Sequence, residues 1–73
     1  MLVNLKTLGK VCQDFRRNRE ISQLKVAYDT NYSIENISAF ECGRNDNARI
    51  LLWYFAHGLT MDELKRGGVD FGI

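Results

Sequence analysis

Proline is absent from this chain of 73 residues, cysteine occurs twice, and histidine and tryptophan once each. With no proline, no position has a fixed φ or lacks a backbone donor, so no ring interrupts a run of helix. The two cysteines, Cys12 and Cys42, have no Cys or His neighbour at metal-ligand spacing, which excludes a zinc site and a disulfide framework. Both are expected to be reduced and packed as small hydrophobes. The lone histidine, His57, has no Ser, Cys or ligand partner, so no catalytic constellation forms around it. Gly67-Gly68 lacks the Lys and Ser/Thr of a phosphate loop. No enzyme activity, cofactor or metal is expected. No apolar run is long enough to span a bilayer, and no basic segment followed by an apolar one opens the chain. The expectation is a cytoplasmic protein with no membrane partner.

What is present points to one small, all-helical domain. The length suffices for one core near the lower limit of stability, so a partner subunit, and hence a homodimer, fits on size alone. The net charge of +1 conceals an uneven distribution. Residues 1–27 carry Lys6, Lys10, Arg16, Arg17, Arg19 and Lys25 against Asp14 and Glu20, a net +4, whereas residues 28–48 carry Arg44 against Asp29, Glu35, Glu41 and Asp46, a net −3. The basic segment suits an approach to phosphates, whose neutralisation releases counterions; the acidic one does not.

Apolar spacing divides the chain into five helices. The first runs from a cap at Asn4 or Thr7 to about Arg19, with Leu5, Leu8, Val11 or Cys12, and Phe15 on one stripe. The second spans about Gln23 to Thr30 and the third about Ile34 to Cys42, capped by Ser22 and Ser33. Val26, Ala27 and Thr30 form one inward face, Ile37 and Phe40 the other. Asn31 is suited to a left-handed turn between them, and Gly43 stops the third helix. After a polar loop in which Asn45, Asp46 or Asn47 can cap, the fourth helix covers about Ala48 to His57 and is apolar without interruption from Ile50 to Phe55. Gly58 ends it. A fifth begins at Thr60, with Asp62 and Glu63 in its first turn and Lys65 and Arg66 in its last, as the helix dipole favours. Residues 67–73 are read as a tail, with 5–66 as the core. The run on the fourth helix exceeds what so small a domain can bury, which leaves an outer apolar strip. The strip is either a dimer or partner interface or is covered by Phe71 or Ile73.

The pattern Ser-Gln-x-x-Val-Ala, three residues, Asn-x-Ser, three residues, Ile-Ser-x-x-Glu-x-Gly resembles the Cro/repressor (XRE-type) helix-turn-helix family over roughly residues 8–66. Asn31 stands where glycine is commoner in that family, and Leu52 and Phe55 stand where polar residues are commoner, so the resemblance makes these two the outer strip of the fourth helix and the candidate dimer or partner interface. The resemblance implies a compact five-helix, lambda-repressor-like DNA-binding fold whose second and third helices form the helix-turn-helix. It implies a small transcriptional regulator, such as a phage-, mobile-element- or bacterial-type repressor, bound as a dimer to double-stranded DNA. By the same resemblance Ser33, Ile34, Glu35, Asn36, Ser38 and Ala39 face bases. Gln23, Lys25, Arg44 and Arg16 meet phosphates, with Lys10, Arg17 or Arg49 adding charge, and Arg16 pairs with Glu41 as a structural bridge. Asn36 or Gln23 can read adenine, Glu35 a cytosine amine, and Ile34 or Ala39 a thymine methyl. The third helix carries no Arg or Lys. That acidic surface and the outer strip keep a second expectation open: a protein-interaction module on the same scaffold, of the anti-repressor, antitoxin-like or polymerase-binding kind.

Overall fold

Each helix begins at a polar side chain that accepts from backbone N–H groups of its own first turn, which supplies partners for donors that have none within the helix. In the computed structural model, which describes residues 4–70, Asn4 caps α1 (Leu5–Asn18), Ser22 caps α2 (Gln23–Thr30) and Ser33 caps α3 (Ile34–Glu41). Asn47 caps α4 (Ala48–Ala56) and Thr60 caps α5 (Met61–Arg66). Of the alternatives the sequence left open, Asn4 rather than Thr7 opens α1, and Asn47 rather than Asn45 or Asp46 opens α4. Helices α3 and α4 each end one residue earlier than apolar spacing suggested. Cys42 and His57 are already caps.

All five helices stop in the same way. One residue turns left-handed, and the N–H of the next reaches back five residues to a helical carbonyl. The left-handed residues are Glu20, Asn31, Gly43, Gly58 and Gly68. The residues that follow are Ile21, Tyr32, Arg44, Leu59 and Val69, whose N–H groups donate to Arg16, Ala27, Ala39, Tyr54 and Leu64 at 2.8–3.1 Å. Four of these five followers are apolar or aromatic and return to the core: Leu59 and Val69 are buried, while Ile21 and Tyr32 pack against it half-buried. Val69 is therefore a core residue, although residues 67–73 were read as a tail outside the core. Phe71 and Ile73, read as a lid for α4, lie outside the described residues.

Helix α1 packs on α3 and α5, and α2 packs on α3 and α4. The radius of gyration is 11.3 Å, close to the ~11 Å of a folded chain this long. Tyr54 of α4 occupies the centre. Its ring meets Phe15 edge-on at 6.0 Å, stacks on Phe40 at 6.2 Å and meets Trp53 edge-on at 5.1 Å. Around it Cys12, Val26, Ile37, Ile50 and Leu64 are fully enclosed. On α4, Leu51 and Phe55 are half-buried and pack against this core, so the outer apolar strip expected there narrows to Leu52, 62% exposed. Cys12 is a buried free thiol; Cys42, expected to be packed, is exposed and free because α3 has already ended. Among the described residues there is no strand, and no helix is long and apolar enough to cross a membrane.

Where α1 crosses the end of α3, Gly9 is buried against backbone. A Cβ added there would lie 2.5 Å from the carbonyl oxygens of both Phe40 and Glu41. Intrinsic helix propensity favours Gly9→Ala by up to ~1 kcal/mol, but the contact opposes it, and backbone carbonyls of a helix end cannot rotate away as a flexible side chain would. Gly9→Ala is expected to destabilise the protein by about 1–3 kcal/mol, the usual penalty for overpacking, in urea unfolding followed by circular dichroism. A stabilised variant would show that α1 and α3 are not in this contact.

Candidate nucleic-acid interface

The last residue of α3, Glu41, is the point on which four helices converge. Its carboxylate is buried, and each oxygen accepts more than one hydrogen bond. Arg16 of α1 donates through Nε to Oε2 at 2.8 Å and through Nη2 to Oε1 at 3.0 Å. Gln23, the first residue of α2, donates Nε2 to Oε1 at 3.0 Å, and Tyr54 of α4 donates its hydroxyl to Oε2 at 3.0 Å. Gln13 of α1 adds a longer contact at 3.4 Å. The third guanidinium nitrogen of Arg16, Nη1, donates to the Ile21 carbonyl at 2.8 Å. Burial alone pushes the Glu41 carboxyl up, but the hydrogen bonds from Arg16 and Gln23, the Arg16 charge and the Tyr54 hydroxyl outweigh it and hold the carboxyl below its ordinary 4.5.

The same network fixes the α2–turn–α3 unit. Gln23 and Glu41, at opposite ends of that unit, are bonded to each other. Between them Thr30 Oγ1 donates back to the Val26 carbonyl at 2.7 Å, and left-handed Asn31 redirects the chain toward the Ser33 cap. On the other flank Asp29 accepts from Trp53 Nε1 at 2.9 Å and from Lys25 Nζ at 3.2 Å, which ties α2 to α4. The Trp53 hydrogen bond, followed by that from Lys25, lowers the Asp29 carboxyl. His57 stacks on Trp53 with ring centroids 3.8 Å apart, and its Nδ1 lies 2.9 Å from the Trp53 carbonyl.

Of the residues assigned to bases, Ser33, Ile34, Glu35 and Asn36 are exposed along the first turn of α3, whereas Ser38 and Ala39 are half-buried. The Ser33 oxygen accepts from the Asn36 N–H at 3.2 Å, so its hydroxyl proton is what it can offer a ligand. Gln23 is half-buried and spends one of its two amide N–H groups on Glu41, leaving the second. Arg44, immediately past α3, is exposed, as are Arg17 and Arg49; the Arg49 guanidinium lies 5.9 Å from the Tyr32 ring centroid. Lys25 and Lys10 are exposed but paired with Asp29 and Asp14. Arg16 leaves the phosphate-contacting set. It is 7% exposed, and all three guanidinium nitrogens are used inside the protein, so its role is the bridge to Glu41. Phe55 is half-buried and packs on the core, which leaves Leu52 as the more exposed of the two residues assigned to an interface.

Two features escaped the sequence reading. Tyr54 and Gln13 belong to the Glu41 network, but in a fourth helix apolar on every side nothing marked which aromatic pointed inward. Leu24 and Tyr28 stand four residues apart on the outer face of α2, 63% and 82% exposed. Their signal was legible, since both fall off the Val26–Ala27–Thr30 face.

Among the described residues no cluster of His, Cys, Asp and Glu is able to hold a metal ion. Comparisons with protein-family models, curated proteins and solved structures return no match to this chain.

A buried pair that loses one partner leaves an uncompensated charge, so Glu41→Ala is expected to cost about 3–5 kcal/mol. Because the folded-state pKa of Glu41 is depressed, its contribution is complete above 4.5 and is lost as pH falls through the lower folded value. Urea titrations between pH 7 and pH 3 should show wild-type stability dropping on the acid side. The drop should be shallower in Glu41→Gln, with the lowered Asp29 supplying the remaining slope. Equal acid slopes in the two proteins would contradict the network.

Proposed function

We propose that this chain is a sequence-specific DNA-binding regulator of the Cro/repressor kind, with a lambda-repressor-like arrangement in which α2 and α3 act as the helix-turn-helix. In this reading α3 enters the major groove, and the protein works as a homodimer in the cytoplasm on an operator of matching two-fold symmetry, without enzymatic activity or cofactor. The observation that carries the reading is the α2–turn–α3 unit clamped at both ends by Gln23 and Glu41, its first α3 turn free and Arg44 exposed beside it. A recognition element needs this combination, since side chains that read base edges gain specificity only from a backbone held at a fixed angle. Gln23 and Arg44 are the phosphate contacts at the two flanks, with the N–H groups of the α2 start adding to the first. Leu52, exposed on α4, is the residue on which the dimer contact is proposed.

A second reading has specific support. Leu24, Tyr28 and Ile34 are exposed apolar side chains on the same two helices, and Glu35 opposes phosphates, so a protein partner is the alternative occupant.

The two separate in one titration. Against duplexes enriched from a random-sequence pool, anisotropy should show affinity that falls steeply as salt rises. Arg44→Ala should weaken binding to all sequences alike and reduce the salt slope by about one. Leu52→Glu should shift the protein toward monomer in sedimentation and weaken binding to paired half-sites. Weak, salt-indifferent binding unchanged by Arg44→Ala would turn the assignment to the partner-binding reading.

A further inference from the structure

The side chains exposed on the first turn of α3 restrict which bases it can tolerate. Ile34 is the first residue of that helix and is 42% exposed, with Glu35 and Asn36 exposed beside it. Ala39, the other residue of α3 assigned to a thymine methyl, is half-buried and more than a turn further on. Of the groups the major groove presents, the C5-methyl of thymine is the apolar one that projects far enough to pack against a side chain; the cytosine C5–H is apolar but flush with its ring. A docked isoleucine that met a donor or acceptor instead would strip water from a polar group and return no hydrogen bond. The Glu35 carboxylate accepts only. Guanine N7 and O6 and thymine O4 are also acceptors and would repel it, so it is compatible with the exocyclic amine of adenine or cytosine. With no Arg or Lys anywhere in α3, nothing on the helix can make the bidentate contact that selects guanine.

We infer that each half-site contains a thymine whose methyl group lies against Ile34, next to a base whose exocyclic amine faces Glu35, so that α3 reads methyl and amine groups instead of guanine. The inference rests on the DNA-docking reading and specifies what that surface selects. Ile34 is the specificity residue here, and its role is separable from folding because its side chain is exposed at the start of the helix and the cap beneath it belongs to Ser33.

Uracil differs from thymine only by the missing methyl, which makes deoxyuridine the direct probe. Duplexes enriched from a random pool are resynthesised with each thymine replaced singly, and binding is followed by fluorescence anisotropy. One position per half-site should weaken by about fourfold, the effect of one buried methyl group. Ile34→Ala, with an unchanged circular dichroism spectrum, should bind the thymine and uracil duplexes equally. Wild-type protein that binds thymine and uracil duplexes alike at every position, or enriched sites without thymine, would overturn the inference and leave DNA docking standing. A protein that enriches no duplex would overturn both.

Discussion

The Glu41 carboxylate is the interaction on which the rest of the structure depends. It is the last residue of α3, yet it is bonded to side chains from α1, α2 and α4, so four helices share one buried acceptor. A buried carboxylate without partners would be costly, and it is the number and geometry of the donors that make this one tolerable. Its negative charge also shapes its neighbours. Burial first, and Glu41 second, push the Cys12 thiol up to about 12, which keeps the thiol protonated and unreactive. The same two influences raise the Tyr54 hydroxyl, so it remains a donor. Arg16 is fixed twice over. Its side chain holds Glu41 and the Ile21 carbonyl, while its own carbonyl accepts from the Ile21 N–H, and this closes the turn that Glu20 makes in left-handed conformation.

That turn shows where local sequence stops being informative. Ser22, Ser33 and Thr60 were legible as caps because a short polar side chain before an amphipathic run has one evident use, whereas at α1 Asn4 and Thr7 offered it equally. Gly43 and Gly58 were legible as stops because glycine has no penalty at positive φ. Glu20 was not. Glutamate has no local preference for that conformation, and it adopts it because Arg16 and Ile21 determine the chain on both sides. Gly9 was equally silent, since a lone glycine within an amphipathic stripe does not reveal that a second helix end rests on it.

At the candidate interface the division is similar. The Arg16–Glu41 pair was expected only from the family resemblance, because the two residues lie on different helices; periodicity within α3 did separate the inward Ile37 and Phe40 from its outer residues. Periodicity does not give depth. Arg16 carried a second assignment as a phosphate contact, which its burial opposes, and Phe55, expected on the outer strip, is half-buried against the core. The unbroken apolar run from Ile50 to Phe55 has no polar face to orient it, so only tertiary packing reveals that Tyr54 points inward and Leu52 outward.

On the proposed reading, the surface built from α2, its turn and α3 docks in duplex DNA while the Glu41 network holds it rigid. Backbone amide shifts of the labelled protein, titrated with a duplex enriched from a random pool, test it most directly. The account predicts that residues 23–44 move together, most strongly at Ser33 to Asn36 and at Arg44, while the buried amides of α5 stay in place. Perturbations confined to α4 and α5, with the first turn of α3 unmoved at saturation, would contradict it.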